Sequence, residues 1–146
     1  MNKHHRRRAR RARAGFTLTE LMVVLLILAL LIALVTPNII RYVGRARVQA
    51  AEAQMANFAS ALEMYRLEVG QYPNAAAGLG ALISAPSDAR NWAGPYLPGG
   101  RIPDDPWGNP YVYERASMDC FVIRSYGRDG VAGGTGEDED IARSAC

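Results

Sequence analysis

An uncharged and mostly apolar run, residues 21–40, most constrains how this 146-residue chain can fold. At the rise of an α-helix the run spans about 30 Å, which matches the hydrocarbon thickness of a bilayer. A buried core helix in so short a chain would show a polar face, and this run has none. The run therefore predicts a membrane anchor, and the remaining length allows one small domain.

Charge is divided between the segment before the anchor and the rest of the chain. Seven of the seventeen Lys and Arg residues, and both histidines, precede Gly15. Without residues 1–15, ten basic residues face fourteen acidic ones, a net charge of −4. The basic leader predicts a cytoplasmic N-terminus and an exported C-terminal part, although Arg41, Arg45 and Arg47 follow the anchor. The acidic remainder gives no support to nucleic-acid binding.

Catalytic groups are scarce after Gly15. That segment has no histidine to act as a base and no lysine to form a Schiff base. Its two cysteines have no histidine partner. A carboxylate-dependent hydrolase is the one enzyme class left, and it is a minor alternative, so we expect no enzyme.

Glu20 stands at the head of the apolar run, in the sequence Thr17-Leu-Thr-Glu20. The pattern fits a capping box, and a carboxylate in the first helical turn suits the helix dipole. A charge within an anchor is costly, so it is usually paired or functional. The two roles are compatible, and the residues favour a functional one.

The peptide GFTLTELMVV, residues 15–24, resembles the type III signal sequence of type IV pilins and type II secretion pseudopilins. In agreement, no A-x-A-like secretory cleavage site closes the anchor, and the small residue Gly15 precedes it. The resemblance implies that a prepilin peptidase cleaves after Gly15 and methylates Phe16. It also implies that Glu20 pairs with the Phe16 amine of an adjacent copy when subunits leave the membrane.

Beyond the anchor, apolar residues at steps of three and four predict that the helix continues to residue 70 with one buried stripe. Gly70 and Pro73 are expected to end it. Pro37 and Gly44 are points where it can bend or unwind. The stripe predicted to face the core consists of Val48, Ala51, Met55, Phe58, Leu62, Tyr65 and Val69.

The segment after the helix predicts turns and a small sheet. One short helix is expected near residues 76–84, and turn residues fill 105–111. Two strand-like runs, 111–114 and 120–125, are close enough to pair as a hairpin. The predicted fold class is α+β, with one long N-terminal helix packed against a small antiparallel sheet.

Three further segments make the resemblance narrower. The peptides YPNAAAGLGAL at 72–82, DPWGNPY at 105–111 and SYGRDGVAGGTGEDEDI at 125–141 resemble the major pseudopilin of the type II secretion system, its G component. The resemblance implies a type IV pilin-like fold. It divides the chain into a leader at 1–15, a long helix at 16–70 and a periplasmic globular domain at 71–146.

The same resemblance implies a function. The chain would be the main subunit of a periplasmic filament that helps to drive folded proteins through the outer membrane. Its partners would be its own copies, minor pseudopilins, the inner-membrane assembly platform with its cytoplasmic ATPase, prepilin peptidase and, before assembly, the inner membrane. One alternative is a type IV pilin for adhesion or motility. Another is a permanently anchored, calcium-dependent binding module.

An acidic, glycine-rich loop precedes the C-terminus. Asp129 and the acidic cluster at 137–140 lie in a segment with five glycines. Ca²⁺ takes six to eight oxygens, which carboxylates and backbone carbonyls of such a loop can supply. From the residues alone, a solvated loop and a cation site are equally open.

The resemblance implies one Ca²⁺ in this loop. Matched by position, the carboxylates of Asp129 and Asp140 and the backbone carbonyls of Tyr126 and Val131 would be its ligands. The chain departs from the family in two respects. The spacing from Val131 to Ile141 is longer than usual, and Glu139 stands where the family has the first aspartate of D-D-I. Asp138 is the alternative ligand at that position.

Cys120 and Cys146 form an even pair in a segment predicted to be exported to an oxidising compartment. They predict an intramolecular bridge rather than free thiols, with a stabilisation of about 3 to 4 kcal/mol. The bridge would tie the C-terminus to a strand and enclose the acidic loop. Such cysteines are not general in the G-type family but are frequent in type IV pilins, so they support the pilin alternative.

Overall fold

A computed structural model of the chain describes residues 15–146, with the side chains of residues 35–40 outside that description. Six elements follow one another along the chain: helix α1 (Leu18–Val69), a short 3-10 helix (Gly78–Leu82), strands β1 (Val112–Arg115) and β2 (Phe121–Ser125), a second 3-10 helix (Gly136–Asp138) and strand β3 (Ile141–Ala145). The chain divides into two compact units at residues 39 and 40. Of the predicted leader, 1–15, residues 1–14 lie outside the described part.

Helix α1 extends over Leu18–Val69 without a break, which confirms the predicted continuous helix. Thr17 caps its start, since the Thr17 hydroxyl accepts a hydrogen bond from the Glu20 backbone N–H at 3.2 Å. Gly70 ends it with a φ of 92°, and its N–H donates to the Arg66 carbonyl. The helix does not unwind at Pro37 or Gly44.

The apolar side chains of α1 from Leu18 to Leu34 are exposed in the isolated chain. None of the helices, over the residues described, combines the length and apolar character that a membrane crossing requires. The predicted span, 21–40, lies partly outside those residues because it includes 35–40.

In the second unit, Ile40–Cys146, three antiparallel strands follow in the order β1-β2-β3. Strands β1, Val112–Arg115, and β2, Phe121–Ser125, form the predicted hairpin, displaced by one residue at most. Strand β3, Ile141–Ala145, pairs with the other edge of β2 and was not predicted. The α+β prediction is confirmed, with a sheet one strand larger than expected.

The core of this unit lies between the predicted stripe of α1 and the buried face of β2. Five stripe residues are buried, while Val48 and Val69 at its ends are partly exposed. The predicted short helix is a 3-10 helix, Gly78–Leu82, and it adds Leu79 and Leu82 to the core. The central core residues are Ala51, Met55, Phe58, Leu62, Tyr65, Leu79, Leu82, Phe121 and Ile123.

The predicted disulfide is present between Cys120, just before β2, and Cys146, just after β3, with Cα atoms 4.3 Å apart. At the opposite end of the same strand pair, Ser125 faces Ile141. The acidic loop therefore leaves and re-enters the sheet at adjacent residues.

Candidate functional site

The loop at 126–140 connects β2 to β3 and carries every predicted metal ligand. The preceding turn, 105–111, supports it through Asp105, whose side chain is only 5% exposed. One Asp105 carboxylate oxygen accepts hydrogen bonds from the backbone N–H groups of Trp107 at 3.0 Å and Asn109 at 2.8 Å. The other accepts one from the Ser125 hydroxyl at 2.6 Å. This buried carboxylate thereby fixes the turn against the end of β2.

Asn109 continues this support into the first residues of the loop. Its side-chain amide donates to the Gly127 carbonyl at 2.7 Å. Gly127 has a φ of 65°, and a Cβ there would lie 2.6 Å from the Glu137 carbonyl oxygen. Glycine is required here because the two ends of the loop approach each other at backbone distance.

Glu137 connects the far end of the loop to two other parts of the fold. Its Oε2 accepts hydrogen bonds from the Trp107 indole N–H at 3.1 Å and from Arg47 of α1 at 3.2 Å. The Trp107 bond lowers the pKa of Glu137 below its ordinary value, and Arg47 lowers it further. Gly44 of α1 is buried, and a Cβ on it would lie 3.0 Å from Glu137 Oε1. The helix and the loop therefore meet at Gly44 and Glu137.

The predicted ligands Asp129 and Asp140 both face backbone donors of their own loop. Asp129 Oδ1 accepts from the Val131 N–H at 3.1 Å, and Asp140 Oδ1 accepts from the Gly133 N–H at 3.0 Å. Each interaction uses one oxygen of the carboxylate. Hard oxygen donors of this kind fit Ca²⁺, which also accepts carbonyl and water ligands.

Asp138 and Glu139, the alternatives for one ligand position, have different surroundings. Both oxygens of Asp138 accept hydrogen bonds from Arg128, at 2.9 and 3.0 Å, and this contact raises the pKa of Arg128. Glu139 lines a cavity of about 250 Å³ together with Asp140 and Glu52 of α1. Among the described side chains, no three His, Cys, Asp or Glu residues are close enough together to hold a metal ion.

The predicted processing residues lie at the start of the described chain. Gly15 and Phe16 are exposed and precede the helix, and Glu20 is exposed in its first turn. The bond from the Glu20 backbone N–H to the Thr17 hydroxyl confirms Thr17 as the cap of the predicted capping box, and the capping role of the Glu20 carboxylate stays a prediction. The predicted contact of its carboxylate with the Phe16 amine of another copy stays a prediction.

Comparison with known proteins identifies the family of this chain. A family model described as type II secretion system (T2SS), protein G, matches residues 38–144. The chain belongs to that family. A second model, the prokaryotic N-terminal methylation motif, matches residues 10–36 and so covers the predicted cleavage position. This pseudopilin thus carries both regions that the resemblance implied.

Curated relatives match this chain over most of their length. The type II secretion system core protein G of Pseudomonas aeruginosa is 41% identical over 137 residues, 90% of this chain and 95% of the relative. That of Vibrio cholerae is 38% identical over 138 residues, with 90% and 91% covered.

A solved structure shows the same fold. The crystal structure of the major pseudopilin from the type 2 secretion system of enterohaemorrhagic Escherichia coli matches this pseudopilin with a TM-score of 0.61 and 34% identity. The match covers 73% of this chain and 93% of the other. These findings confirm the resemblance to the G component and favour the pseudopilin over the type IV pilin.

Two supports of the site were missed from the sequence. For Asp105 the sequence predicts only turn chemistry, because the hydrogen bond that it accepts from Ser125 comes from a residue 20 positions away. Arg47 was counted only as a charge after the anchor, and its partner Glu137 is 90 residues away. The aspartate in DPWGNPY, followed by two backbone donors, was the one local signal available.

Proposed function

We propose that the chain is the main structural subunit of the type II secretion pseudopilus, a periplasmic filament that helps to export folded proteins through the outer membrane. The observation that carries this proposal is the combination of a protein G match and a methylation-motif match in one chain. The role is mechanical, and no catalytic step is assigned to this chain. Energy would come from the cytoplasmic ATPase of the assembly platform, and minor pseudopilins would complete the filament.

Before assembly, the chain would cross the bacterial inner membrane once. The seven basic residues before Gly15 outnumber the three arginines that follow the apolar run, which favours a cytoplasmic N-terminus and a periplasmic globular part. Exposed apolar side chains from Leu18 to Leu34 would contact lipid first and neighbouring subunits afterwards.

Assembly would depend on a carboxylate–amine contact between copies. After cleavage behind Gly15 by prepilin peptidase, the methylated amine of Phe16 would pair with Glu20 of an adjacent subunit. Such a contact offsets the cost of moving both charges through an apolar environment.

The test separates this contact from helix capping. Glu20→Gln removes the charge, whereas Thr17→Ala removes the capping hydroxyl and keeps the charge. We expect Glu20→Gln to abolish filaments and secretion of exported enzymes, and Thr17→Ala to retain both with a slightly less stable helix. Filaments are counted by electron microscopy and secreted enzymes in the medium. Assembly of Glu20→Gln at the wild-type rate would show that the pairing role is wrong.

The loop at 126–140 is proposed to bind one Ca²⁺ through Asp129, Asp140 and the backbone carbonyls of Tyr126 and Val131. Two facts support this: Asp129 and Asp140 use only one oxygen each within the loop, and the family match includes it. Glu139 is the better candidate for the remaining carboxylate, because the Arg128 contact engages both oxygens of Asp138. Bound Ca²⁺ would supply a positive charge that joins the two ends of the loop.

A melting experiment tests the calcium site. Ca²⁺ added to the chelated protein should raise the Tm, and Mg²⁺ at equal concentration should not. Asp129→Asn and Asp140→Asn should lose the Ca²⁺-dependent increase, while Asp104→Asn, an exposed control outside the loop, should keep it. Loss of the increase in Asp138→Asn but not in Glu139→Gln would reverse the ligand assignment. An unchanged Tm in the wild type would exclude the site.

A further inference from the structure

Three arginines follow the apolar run within seven residues, on the side of the membrane where the proposed orientation favours few positive charges. Arg47 is accounted for by its ion pair with Glu137 at 3.2 Å. Arg41 and Arg45 take part in none of the ion pairs between described side chains, and both are exposed. These two guanidinium groups need an explanation.

Arg41 and Arg45 line one groove. They are four residues apart on α1 and therefore share a face of the helix with Gly44 and Val48. Together with Gly136 and Glu137 on the opposite side, these residues enclose about 490 Å³. That volume is within the usual range for small-ligand sites.

The groove is positively charged, and two of its lining residues are glycines. The charges of Glu137 and Arg47 offset each other, so Arg41 and Arg45 leave a net charge of about +2. Gly44 and Gly136 both line the groove and carry no side chain, and Gly136 has a φ of 69°, which favours glycine. Half-buried Val48 adds an apolar surface. An anion with an adjacent apolar part fits this surface.

We propose that the groove binds the phosphate of an anionic phospholipid in the periplasmic leaflet while the subunit is still in the membrane. This inference rests on the proposed anchoring of residues 21–40. Arg41 directly follows the anchor, and helical rise places Arg45 about 7 Å beyond it, within the depth of the headgroup region. Arginines at this level attract anionic lipid.

The experiment measures lipid preference around the intact, processed chain in vesicles. Spin-labelled phosphatidylglycerol and spin-labelled phosphatidylcholine are compared in a phosphatidylcholine host. We expect the wild type to prefer phosphatidylglycerol by about fivefold or more at low ionic strength. Arg41→Gln/Arg45→Gln should lower the preference to near parity. The matched control Arg90→Gln/Arg101→Gln, two exposed arginines elsewhere, should retain it.

The outcomes distinguish the possible occupants. An unchanged preference in Arg41→Gln/Arg45→Gln, or an equal loss in the control, would overturn the proposal. Release of phosphatidylglycerol by inorganic phosphate would assign the groove to a free anion instead. A double variant that keeps its lipid preference but fails to assemble would assign the groove to a carboxylate of a second copy.

Flotation with neutral vesicles tests the anchor separately. A wild-type chain that does not float would contradict the proposed anchor and the lipid site with it. A chain that floats but shows no lipid preference would contradict the lipid site alone.

Discussion

Glu137 is the side chain that holds the end of the acidic loop to the rest of the globular unit. It accepts hydrogen bonds from Trp107 of the turn and Arg47 of the helix, two residues far from it in sequence. Both interactions favour the charged form and lower its pKa. The loop is therefore held most firmly when Glu137 is ionised.

This predicts an acid-sensitive contribution to stability. Because the folded pKa of Glu137 lies below its ordinary value, the contribution is complete above the ordinary glutamate pKa, about 4.3, and is lost as the pH falls through the folded pKa. With chelator present, Glu137→Gln should have a lower Tm than the wild type at neutral pH. The difference should shrink below the ordinary pKa.

Thermal melts between neutral and acid pH measure this difference. Glu52→Gln, at an exposed glutamate of α1, serves as the control for the loss of one carboxylate, and the two variants are compared at each pH. A Glu137→Gln difference that stays constant down to the lowest pH would mean that ionisation of this carboxylate does not hold the loop.

The sequence predicts which loop residues are oxygen donors, but it does not predict which partner each one contacts. The sequence placed Asp129, Asp138 and Asp140 in one oxygen-rich loop, and the structure keeps them there. It could not show that Arg128 engages Asp138, because any of several nearby acidic residues satisfies the same charge pattern. Selection among them depends on the backbone path through the glycines.

At the scale of elements, α1 contacts the second 3-10 helix, Gly136–Asp138, at Gly44, a residue without a side chain. Gly44 interrupts an otherwise favourable helix sequence, and alanine in a helix interior is normally more stable by about 1 kcal/mol. Here an added Cβ would lie 3.0 Å from Glu137 Oε1. The glutamate side chain, which Arg47 and Trp107 hold in place, would have to shift by a few tenths of an ångström.

A double-mutant cycle tests this contact. Gly44→Ala should stabilise the chain by about 1 kcal/mol in a Glu137→Ala background, where the carboxylate is absent. In the wild-type background the same change should give no gain or a loss. Urea unfolding in mild detergent measures both free energies. Equal gains in the two backgrounds would mean that the helix and the loop do not compete for this space.

The disulfide acts on the pair β2 and β3. Cys120→Ser/Cys146→Ser should lower the free energy of unfolding by about 3 to 4 kcal/mol, because the unfolded chain regains the conformational entropy that the cross-link removes. Reduction of the wild type should lower the free energy of unfolding by the same amount and so lower the urea midpoint. The double variant with added reductant is the control for the reductant itself. Identical midpoints for oxidised and reduced wild type would contradict the prediction.

The long helix, the hairpin and the disulfide could be predicted because each has a strong local signal. Strand β3 could not, since Ile141 is its one large apolar residue and its central residues are exposed. Its identity as a strand comes from pairing with β2, whose other edge is occupied by β1. An edge strand of this kind is specified by its neighbour more than by its own sequence.

For the whole molecule, processing would reverse the sign of its charge. The full chain has a formal charge of +3, and the chain from Phe16 onward carries −4. We expect the mature protein to focus on the acidic side in isoelectric focusing and to begin at N-methyl-Phe16 by mass spectrometry. Gly15→Val, which replaces the small residue at the cleavage position, should keep the basic form. A membrane form that retains its leader would support the permanently anchored module instead.

The two ends of the acidic loop are joined by the facing residues Ser125 and Ile141 of β2 and β3. The disulfide joins the same two strands at their opposite end. The entropy of closing a loop rises only slowly with its length, by about 0.6 kcal/mol for each doubling. Where the contacts of Arg128 and Glu137 are kept, residues can therefore be inserted or deleted between these points at little cost in closure entropy, and the register of the sheet does not change. Evolution can alter the length of this outward segment in related subunits while the packing of helix on sheet stays the same.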